Sequence, residues 1–252
     1  MPPFRQPLNS YIFNNANPRI LTKLQSSTKY FLHYLKPVVV ERLEISDEPK
    51  NFNKMCVSSP FKNKLFAKLN NLYLINSLFL DTVKHQTIIP KIYRCDLKFL
   101  RLRFQKVLLK DFDFFVQSGN IELLSCHHVI EENNIAVPLE IILAKTLKIF
   151  FIELSGAQLT PQTFENLLKL QFQSKILYFS LDDVLQLIHV PSFISFLKQN
   201  LGPNARINIE FDDHYPEVNY HELSSALDGM QNEWQPAEEK PQISLLLRPL
   251  FM

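Results

Sequence analysis

The feature that most constrains the fold of this chain is a repeated alternation of short apolar, strand-like runs with helix-like segments from about residue 42 onward. The runs are RLEIS, NLYLIN, FLRLRF, IELLSC, TLKIFFIEL, KILYFSL, RINIEF and ISLLLRP. Their first inward apolar positions are predicted at Leu43, Leu72, Leu100, Ile121, Leu147, Leu177, Ile207 and Ile243, so successive steps are 29, 28, 21, 26, 30, 30 and 36 residues. These steps lie in or slightly above the ~20–29-residue range of leucine-rich repeats.

The segments between the runs carry their own helix signals. A Ser or Thr followed by Pro predicts a helix start, and Gly predicts a helix end. An Asn with a Glu three residues later predicts a capping box. The predicted starts are Ser59-Pro60, Thr160-Pro161 and Asn219 with Glu222, and the predicted ends are Gly119 and Gly202-Pro203.

Alternating strands and helices indicate parallel strands joined by crossovers, which leaves a doubly wound sheet or a solenoid. RINIEF favours the solenoid, because its apolar and polar residues alternate and so face opposite sides. FLRLRF agrees, with Leu100, Leu102 and Phe104 predicted inward against Arg101 and Arg103. The predicted fold is α/β: a leucine-rich-repeat-like solenoid, with a parallel sheet and helices on one side.

The first forty residues do not follow this period. Ile20, Leu21 and Leu24 have helical spacing, and Tyr30 and Phe31 begin an aromatic cluster before Pro37. We therefore predict an N-terminal helical cap at residues 1–41, followed by a solenoid at residues 42–252.

Composition narrows the function classes. The chain has 252 residues, of which 46% are hydrophobic, with 21 Phe and only 4 Gly, so a large core is expected and glycine-rich phosphate loops are not. A net charge of +2 without basic clustering predicts no nucleic-acid partner. With no signal-like N-terminus and no bilayer-length apolar run, we expect no membrane partner and an intracellular protein, cytoplasmic or nuclear. Three widely spaced cysteines (Cys56, Cys95, Cys126) also favour a reducing compartment.

Two segments carry a resemblance to a known family. NPRILTKLQSSTKYFLHYLKPVVVERL resembles the degenerate F-box region of F-box-like proteins expanded in plant-parasitic nematodes, and AVPLEIILAKTLKIFFIELSGAQLTPQTFENLLKL resembles their leucine-rich-repeat-like body. The resemblance implies a substrate receptor of a ubiquitin ligase. It also implies that the region from about Ile12 to Leu35 faces the ligase adaptor, through Ile20, Leu21, Leu24, Tyr30 and Phe31.

Candidate catalytic and metal-binding groups are few. In Cys126-His127-His128 the consecutive side chains of a strand point to opposite faces, so we expect no shared metal. Asp182-Asp183 and Asp212-Asp213 follow two successive predicted strands, and paired acids can hold a cation or act as acid and base. The alternatives left open are a small α/β hydrolase or transferase that uses these aspartates, and a diverged paralogue without ligase function.

The leading hypothesis is a non-enzymatic protein-interaction scaffold that needs no cofactor and no metal. Its partner would lie on the strand face turned away from the helices, where aromatic, aliphatic and charged groups mix. The residues predicted for this face are Arg101, Arg103, Leu124, Lys148, Phe150, Ile152, Tyr178, Asn208 and Glu210.

Overall fold

The computed structural model describes residues 11–12, 15–27, 38–45, 56–58, 70–81 and 84–248, and it has an α/β fold with parallel sheet pairing. The chain forms two compact units, residues 1–97 and residues 98–252. The boundary predicted between residues 41 and 42 falls inside the first strand, Val38–Ile45. Predicted elements between residues 59 and 69, including the helix start at Ser59-Pro60, lie outside the described residues.

The described part of the first unit contains the helix α1 and a set of parallel strands. The strand β1 pairs with β2 on one side and with β3 on the other, and β3 pairs with β4. The ranges are α1 (Pro18–Ser27), β1 (Val38–Ile45), β2 (Cys56–Ser58), β3 (Leu72–Leu80) and β4 (Ile92–Cys95), with short 3-10 turns at His85–Thr87 and Ile89–Lys91.

Helix α1 packs against one face of these strands. Leu21 is 2% exposed and lies against Tyr73 of β3, with Leu24 and Val39 at the edge of the contact. The Tyr73 hydroxyl donates a hydrogen bond to Asp96. Burial, together with this bond, raises the pKa of Tyr73 well above its ordinary value. The predicted helical spacing at Ile20, Leu21 and Leu24 is therefore confirmed as a helix that buries part of its surface.

The second unit contains a larger parallel sheet whose strands lie in chain order, β5-β7-β9-β10-β11-β12. A shorter parallel pair, β6 with β8, lies apart from it. The strand ranges are β5 (Phe99–Leu102), β6 (Val107–Leu108), β7 (Leu123–His127), β8 (Val129–Ile130), β9 (Phe151–Ser155), β10 (Ile176–Val184), β11 (Leu201–Phe211) and β12 (Gln242–Leu247).

Helices connect the strands of this unit, and α3 to α6 pack beside one another in chain order. Proline stands next to the start of four of them, where a missing backbone N–H is tolerated; these are Pro138, Pro161, Pro191 and Pro216. The ranges are α2 (Leu109–Val116), α3 (Leu139–Ala144), α4 (Thr163–Leu168), α5 (Val190–Asn200) and α6 (Glu217–Asn232), with a 3-10 turn at Ala237–Glu239.

In β10 and β11, alternate side chains point toward the helices and are buried against them. Phe179 of β10 is 0% exposed, and its ring centroid lies 5.9 Å from that of Phe196 and 6.4 Å from that of Phe193, both in α5. Ile207 and Ile209 of β11 are buried in the same way, as predicted from RINIEF. A core of this kind depends on the period-2 pattern of the strands.

Several local predictions in this unit are wrong, and three of them concern α5, α6 and β10. The residues Gly202-Pro203 do not end a helix in a loop, because α5 runs directly into β11 at Leu201 and both residues belong to that strand. The predicted cap Asn219 lies inside α6, which begins at Glu217 after Pro216. Leu177, predicted inward, is 44% exposed, whereas its neighbour Ile176 is buried and Phe179 begins the buried part of β10.

Four neighbouring strands of the second unit carry a residue in the same backbone conformation near their carboxyl ends, just after β5, β7 and β9 and inside β10. Residues one or two positions beyond the paired register adopt the left-handed region: Phe104 (φ 56°), His128 (φ 46°), Gly156 (φ 64°) and Asp183 (φ 59°). Non-glycine residues rarely adopt this conformation. The repeated turn is a structural period that the residue types do not show, since only one of the four is glycine.

Candidate functional site

The side of the second-unit sheet that faces away from the buried core is partly exposed, and we call it the open face. Because parallel strands here pair in register, its side chains form rows across the strands. An aromatic row consists of Phe99, Leu123, Phe151 and Tyr178. A middle row consists of Arg101, Ser125, Glu153, Ser180 and Asn208. In this row Ser125 and Ser180 are buried, and the other three side chains are half-buried. A charged rim at the carboxyl ends of the strands consists of Arg103, His127, Asp182, Asp183, Glu210 and Arg248.

The aromatic row is organised around one stacked pair. The rings of Phe151 and Tyr178 lie 4.2 Å apart between centroids and are within 7° of parallel. The Tyr178 hydroxyl accepts a hydrogen bond from Asn208 Nδ2 at 2.9 Å, which fixes the outer ring. Both rings are half-buried. Together they present a rigid apolar surface with a polar edge, a combination that is enriched in protein interfaces.

The charged rim is held by two arginines. Arg103 donates from Nη2 to both carboxylate oxygens of Glu153, at 2.9 Å and 3.0 Å. Arg248, just beyond β12, donates to Glu210 and to Asp183. Asp183 also accepts from the Ser155 hydroxyl. Paired charges of this kind are pre-ordered on the surface before any partner arrives.

A β-bulge explains why two consecutive aspartates both reach this rim. Leu181 pairs with Ile209 and Val184 pairs with Phe211, so β10 has one more residue than β11 between these pairs. The bulge contains Asp183, whose backbone adopts the left-handed conformation. Bulges redirect side chains in this way and are common next to functional sites.

The two ionisable groups nearest the centre of the rim have shifted pKa values. Burial raises the pKa of Asp182, and the nearby carboxylates Glu210, Glu153 and Asp183 add to the rise. Burial also lowers the pKa of His127, helped by the neighbouring His128. His127 is therefore neutral at neutral pH. The centroid of the His127 ring lies 5.3 Å from the centroid of the Phe104 ring.

Phe104 itself corrects the sequence prediction. It was expected inward with Leu100 and Leu102, but it is 77% exposed because its left-handed backbone turns the chain at the end of the strand. An exposed aromatic side chain on a strained backbone position is an observation that points to function. Phe104 thus extends the rim next to His127.

Five residues predicted for the interaction face do lie on the open face: Arg101, Arg103, Tyr178, Asn208 and Glu210. The prediction that Leu124 and Ile152 lie there is wrong, because both belong to the row of side chains that is buried with Phe179 on the helix side of the sheet. The true outward residues are their neighbours Leu123 and Phe151, and a slip of one residue moves a side chain to the other face.

Lys148 and Phe150 precede strand β9 and so do not belong to the open face. Lys148 donates a hydrogen bond from Nζ to Asn120 Oδ1 at 2.6 Å. Phe150 is half-buried, and its backbone N–H binds the carbonyl of Glu122. The doubled apolar residues Leu123-Leu124 and Phe150-Phe151 hide the alternation that would have identified the outward member of each pair.

The residues predicted to face an adaptor are placed only in part. Ile20 is 46% exposed, whereas Leu21 is buried against Tyr73 and Leu24 is partly buried beside it. Tyr30 and Phe31 lie outside the described residues.

The aspartate pairs have different hydrogen-bond partners. Asp183 binds Ser155 and Arg248, whereas Asp212 binds His214 at 2.9 Å. Among the described residues, the one group of potential metal ligands within 4.8 Å of one another is Asp212, Asp213 and His214. A cavity of about 530 Å³ lies at the amino ends of β10 and β11, lined by residues 168–175 with Gln199 and Asn200.

Comparison of the chain with known protein families, with curated proteins and with solved structures found no match. Within the described ranges, no helix has both the length and the apolar character needed to cross a bilayer.

Proposed function

We propose that this protein is a non-enzymatic interaction scaffold that binds a protein partner on the open face of its second unit. The proposal takes this unit as a leucine-rich-repeat-like solenoid, which the chain-order sheet, the adjacent helices and the repeated left-handed strand ends support. The observation that carries the proposal is the stacked Phe151–Tyr178 pair beside a rim of ordered charges. An apolar centre with polar surroundings is how protein interfaces are commonly built.

As a second component, we propose that the scaffold acts as an F-box-like substrate receptor of a ubiquitin ligase. This component depends on the sequence resemblance and on the exposed side of α1 at Ile20. It treats the N-terminal helix as a cap that also contacts the adaptor, with Leu21 contributing to the fold instead of the contact. A scaffold without ligase function is the version that remains if this component fails.

Affinity capture from a native lysate, followed by mass spectrometry, tests the scaffold component. Three baits are compared: the intact chain, the double variant Phe151→Asp/Tyr178→Asp and the control Val218→Asp. Val218 lies on α6 and is 79% exposed, so it receives the same chemical change away from the open face. We expect a specific protein to be captured by the intact chain and the control but lost from the double variant. An identical set of captured proteins for all three baits contradicts the proposal.

The same capture tests the ligase component separately. We expect adaptor and cullin subunits with the intact chain, and we expect Ile20→Asp to remove them without removing the target. Recovery of a target without any adaptor contradicts the ligase component and leaves the scaffold component in place.

A further inference from the structure

Along β10, the side chains of the open face change from aromatic to polar to acidic. This sequence of side chains indicates what kind of partner the face binds. Tyr178, Ser180 and Asp182 alternate outward along this strand. The stacked aromatic pair lies at one end of this series and a carboxylate lies at the other. Asp182 follows Tyr178 by four positions, and at the rise per residue of a β-strand this separation is roughly 13 Å.

Asp182 differs from the other carboxylates of the rim in its partners. Glu153 is paired with Arg103, and both Asp183 and Glu210 are paired with Arg248. Asp182 accepts one hydrogen bond, from the Ser180 hydroxyl at 3.3 Å. Within the part of the chain that the structure describes, no lysine, arginine or histidine forms an ion pair with it. It is a half-buried carboxylate that has no ion-pair partner among the described residues.

The surroundings of Asp182 make a cation from outside favourable. Three other carboxylates contribute negative charge at this point, and the lowered pKa of His127 disfavours its charged form. A cationic side chain that docks here gains the interaction with Asp182 and relieves the repulsion. Hydrogen bonds to the carboxylate strengthen such a pair.

A metal ion fits this position less well than a side chain does. A divalent cation of the calcium or magnesium kind needs several oxygen ligands that converge on one point. The neighbouring carboxylates are already bound by arginines, and Asp182 is not part of a group of ligand atoms within 4.8 Å of one another. A single ammonium or guanidinium group requires only one carboxylate.

We infer that the open face binds a protein segment that presents an aliphatic or aromatic residue to the Phe151–Tyr178 pair and a lysine or arginine to Asp182. This inference rests on the proposed function, because it gives the chemistry of a partner for the same surface. The roughly 13 Å between the two contacts spans about four residues of an extended segment. The partner is thus basic where it meets the carboxyl ends of the strands.

Selection from a displayed library of random 12-residue peptides tests the inference. The bait is the full chain, and selection is carried out with and without a chelator of divalent cations. We expect peptides that combine an apolar residue with a lysine or arginine about four positions away. Selection of acidic peptides, or binding that disappears with the chelator, overturns the inference.

A double-mutant cycle with one selected peptide then measures the contact. The four affinities are those of the intact chain and Asp182→Asn, each for the peptide and for its Lys→Gln or Arg→Gln form. We expect about a tenfold loss for each single change and little further loss for the double change. Independent, additive losses contradict the ion pair. Circular dichroism verifies that Asp182→Asn remains folded.

Variants of the aromatic pair distinguish failure of this inference from failure of the proposed function. If Tyr178→Asp abolishes peptide binding while Asp182→Asn does not weaken it, the open face binds partners but the inferred cation contact is wrong. If neither variant weakens binding, and Val218→Asp behaves like the intact chain, both the inference and the proposed function are wrong. If no selected peptide depends on the open face for its binding, both the inference and the proposed function are likewise wrong.

Discussion

At the scale of single residues, the open face combines groups that stabilise the fold with groups that do not. Arg103 and Arg248 form ion pairs with neighbouring carboxylates, so those side chains are ordered. Asp182 lies among like charges and is partly removed from water. Residues kept in an unfavourable environment are common at binding sites, where the partner supplies the missing interaction.

Asp182→Asn is expected to stabilise the free protein at neutral pH by roughly 0.2–1 kcal/mol, the range for like-charged neighbours on a sheet. The amide keeps the size of the side chain and removes the charge. The pKa of Asp182 is raised in the folded state, so the folded protein holds the proton more tightly than the unfolded chain does. The wild-type protein therefore loses stability relative to the variant as pH rises from the ordinary carboxyl range through the raised value.

Denaturant unfolding of both proteins at several pH values measures this difference. Below the ordinary pKa of an aspartate both side chains are neutral, and we expect equal stability there. An advantage of Asp182→Asn that is constant over the whole pH range, or that grows as pH falls, contradicts the assignment.

Gly156 is expected to resist substitution. Its φ of 64° is a conformation that costs a residue with a Cβ about 1–2 kcal/mol, and a Cβ here would overlap the His128 imidazole. Gly156→Ala should lower the free energy of unfolding by at least that amount. In a His128→Ala background the overlap is absent, so the loss should fall to the backbone contribution alone.

Gly229→Ala is the matched control for this change. Gly229 lies inside α6, with no atom within 4 Å of the added Cβ, so alanine should stabilise the helix by up to about 1 kcal/mol. Equal effects of Gly156→Ala and Gly229→Ala on denaturant midpoints would show that the strand end at Gly156 has no special conformation.

At the scale of elements, the two sides of one strand have different roles. Phe179 is buried against the two phenylalanines of α5, whereas its neighbour Tyr178 lies on the open face. Phe179→Ala is expected to destabilise the unit by about 3–5 kcal/mol, as cavity-forming changes do. Tyr178→Ala loses mainly the stacking on Phe151, about 0.5–1.5 kcal/mol. Similar losses for the two variants, measured by denaturant unfolding, would contradict the one-sided burial of β10.

The sequence predicts strands well where polar and apolar residues alternate strictly. In RINIEF the inward and outward residues are both predicted correctly, because arginine, asparagine and glutamate mark the outer face. In TLKIFFIEL the two adjacent phenylalanines carry no such mark, so Phe150 replaces Phe151 in the prediction. For the same reason, the sequence predicts that Leu124 faces outward, whereas the outward residue is Leu123.

Backbone conformation is the part that residue types do not reveal. The left-handed strand ends at Phe104 and His128 have no glycine or asparagine to signal them, and the bulge at Asp183 arises in a sequence that reads as a regular strand. The charged rim depends on these turns. The sequence therefore points to the acidic pair at the end of KILYFSLDDV without showing that its two carboxylates have different partners.

At the scale of the whole molecule, the chain consists of two compact units, and the open face belongs to the second, residues 98–252. Six of the eight apolar runs in the sequence correspond to strands that lie in chain order in this unit. A sheet with this order has no point at which the strand order reverses, which is where doubly wound folds bind their ligands. A broad strand face is consequently the better candidate for recognition than a crevice at a strand end.

The accessibility of single cysteines placed at adjacent positions of one strand tests most directly whether the open face is exposed. In a Cys56→Ser background, the remaining cysteines Cys95 and Cys126 are buried, and burial raises the pKa of the Cys126 thiol to about 12, so it reacts poorly. The two adjacent pairs to compare are Tyr178→Cys with Phe179→Cys, and Asn208→Cys with Ile207→Cys.

We expect a maleimide to react with the cysteines at 178 and 208 in the folded protein, and with those at 179 and 207 only after unfolding. A bound partner should slow the reaction at 178 and 208. Equal protection of both members of each pair in the free protein would show that the strands are covered on both sides, and it would contradict the open face on which the proposed function depends.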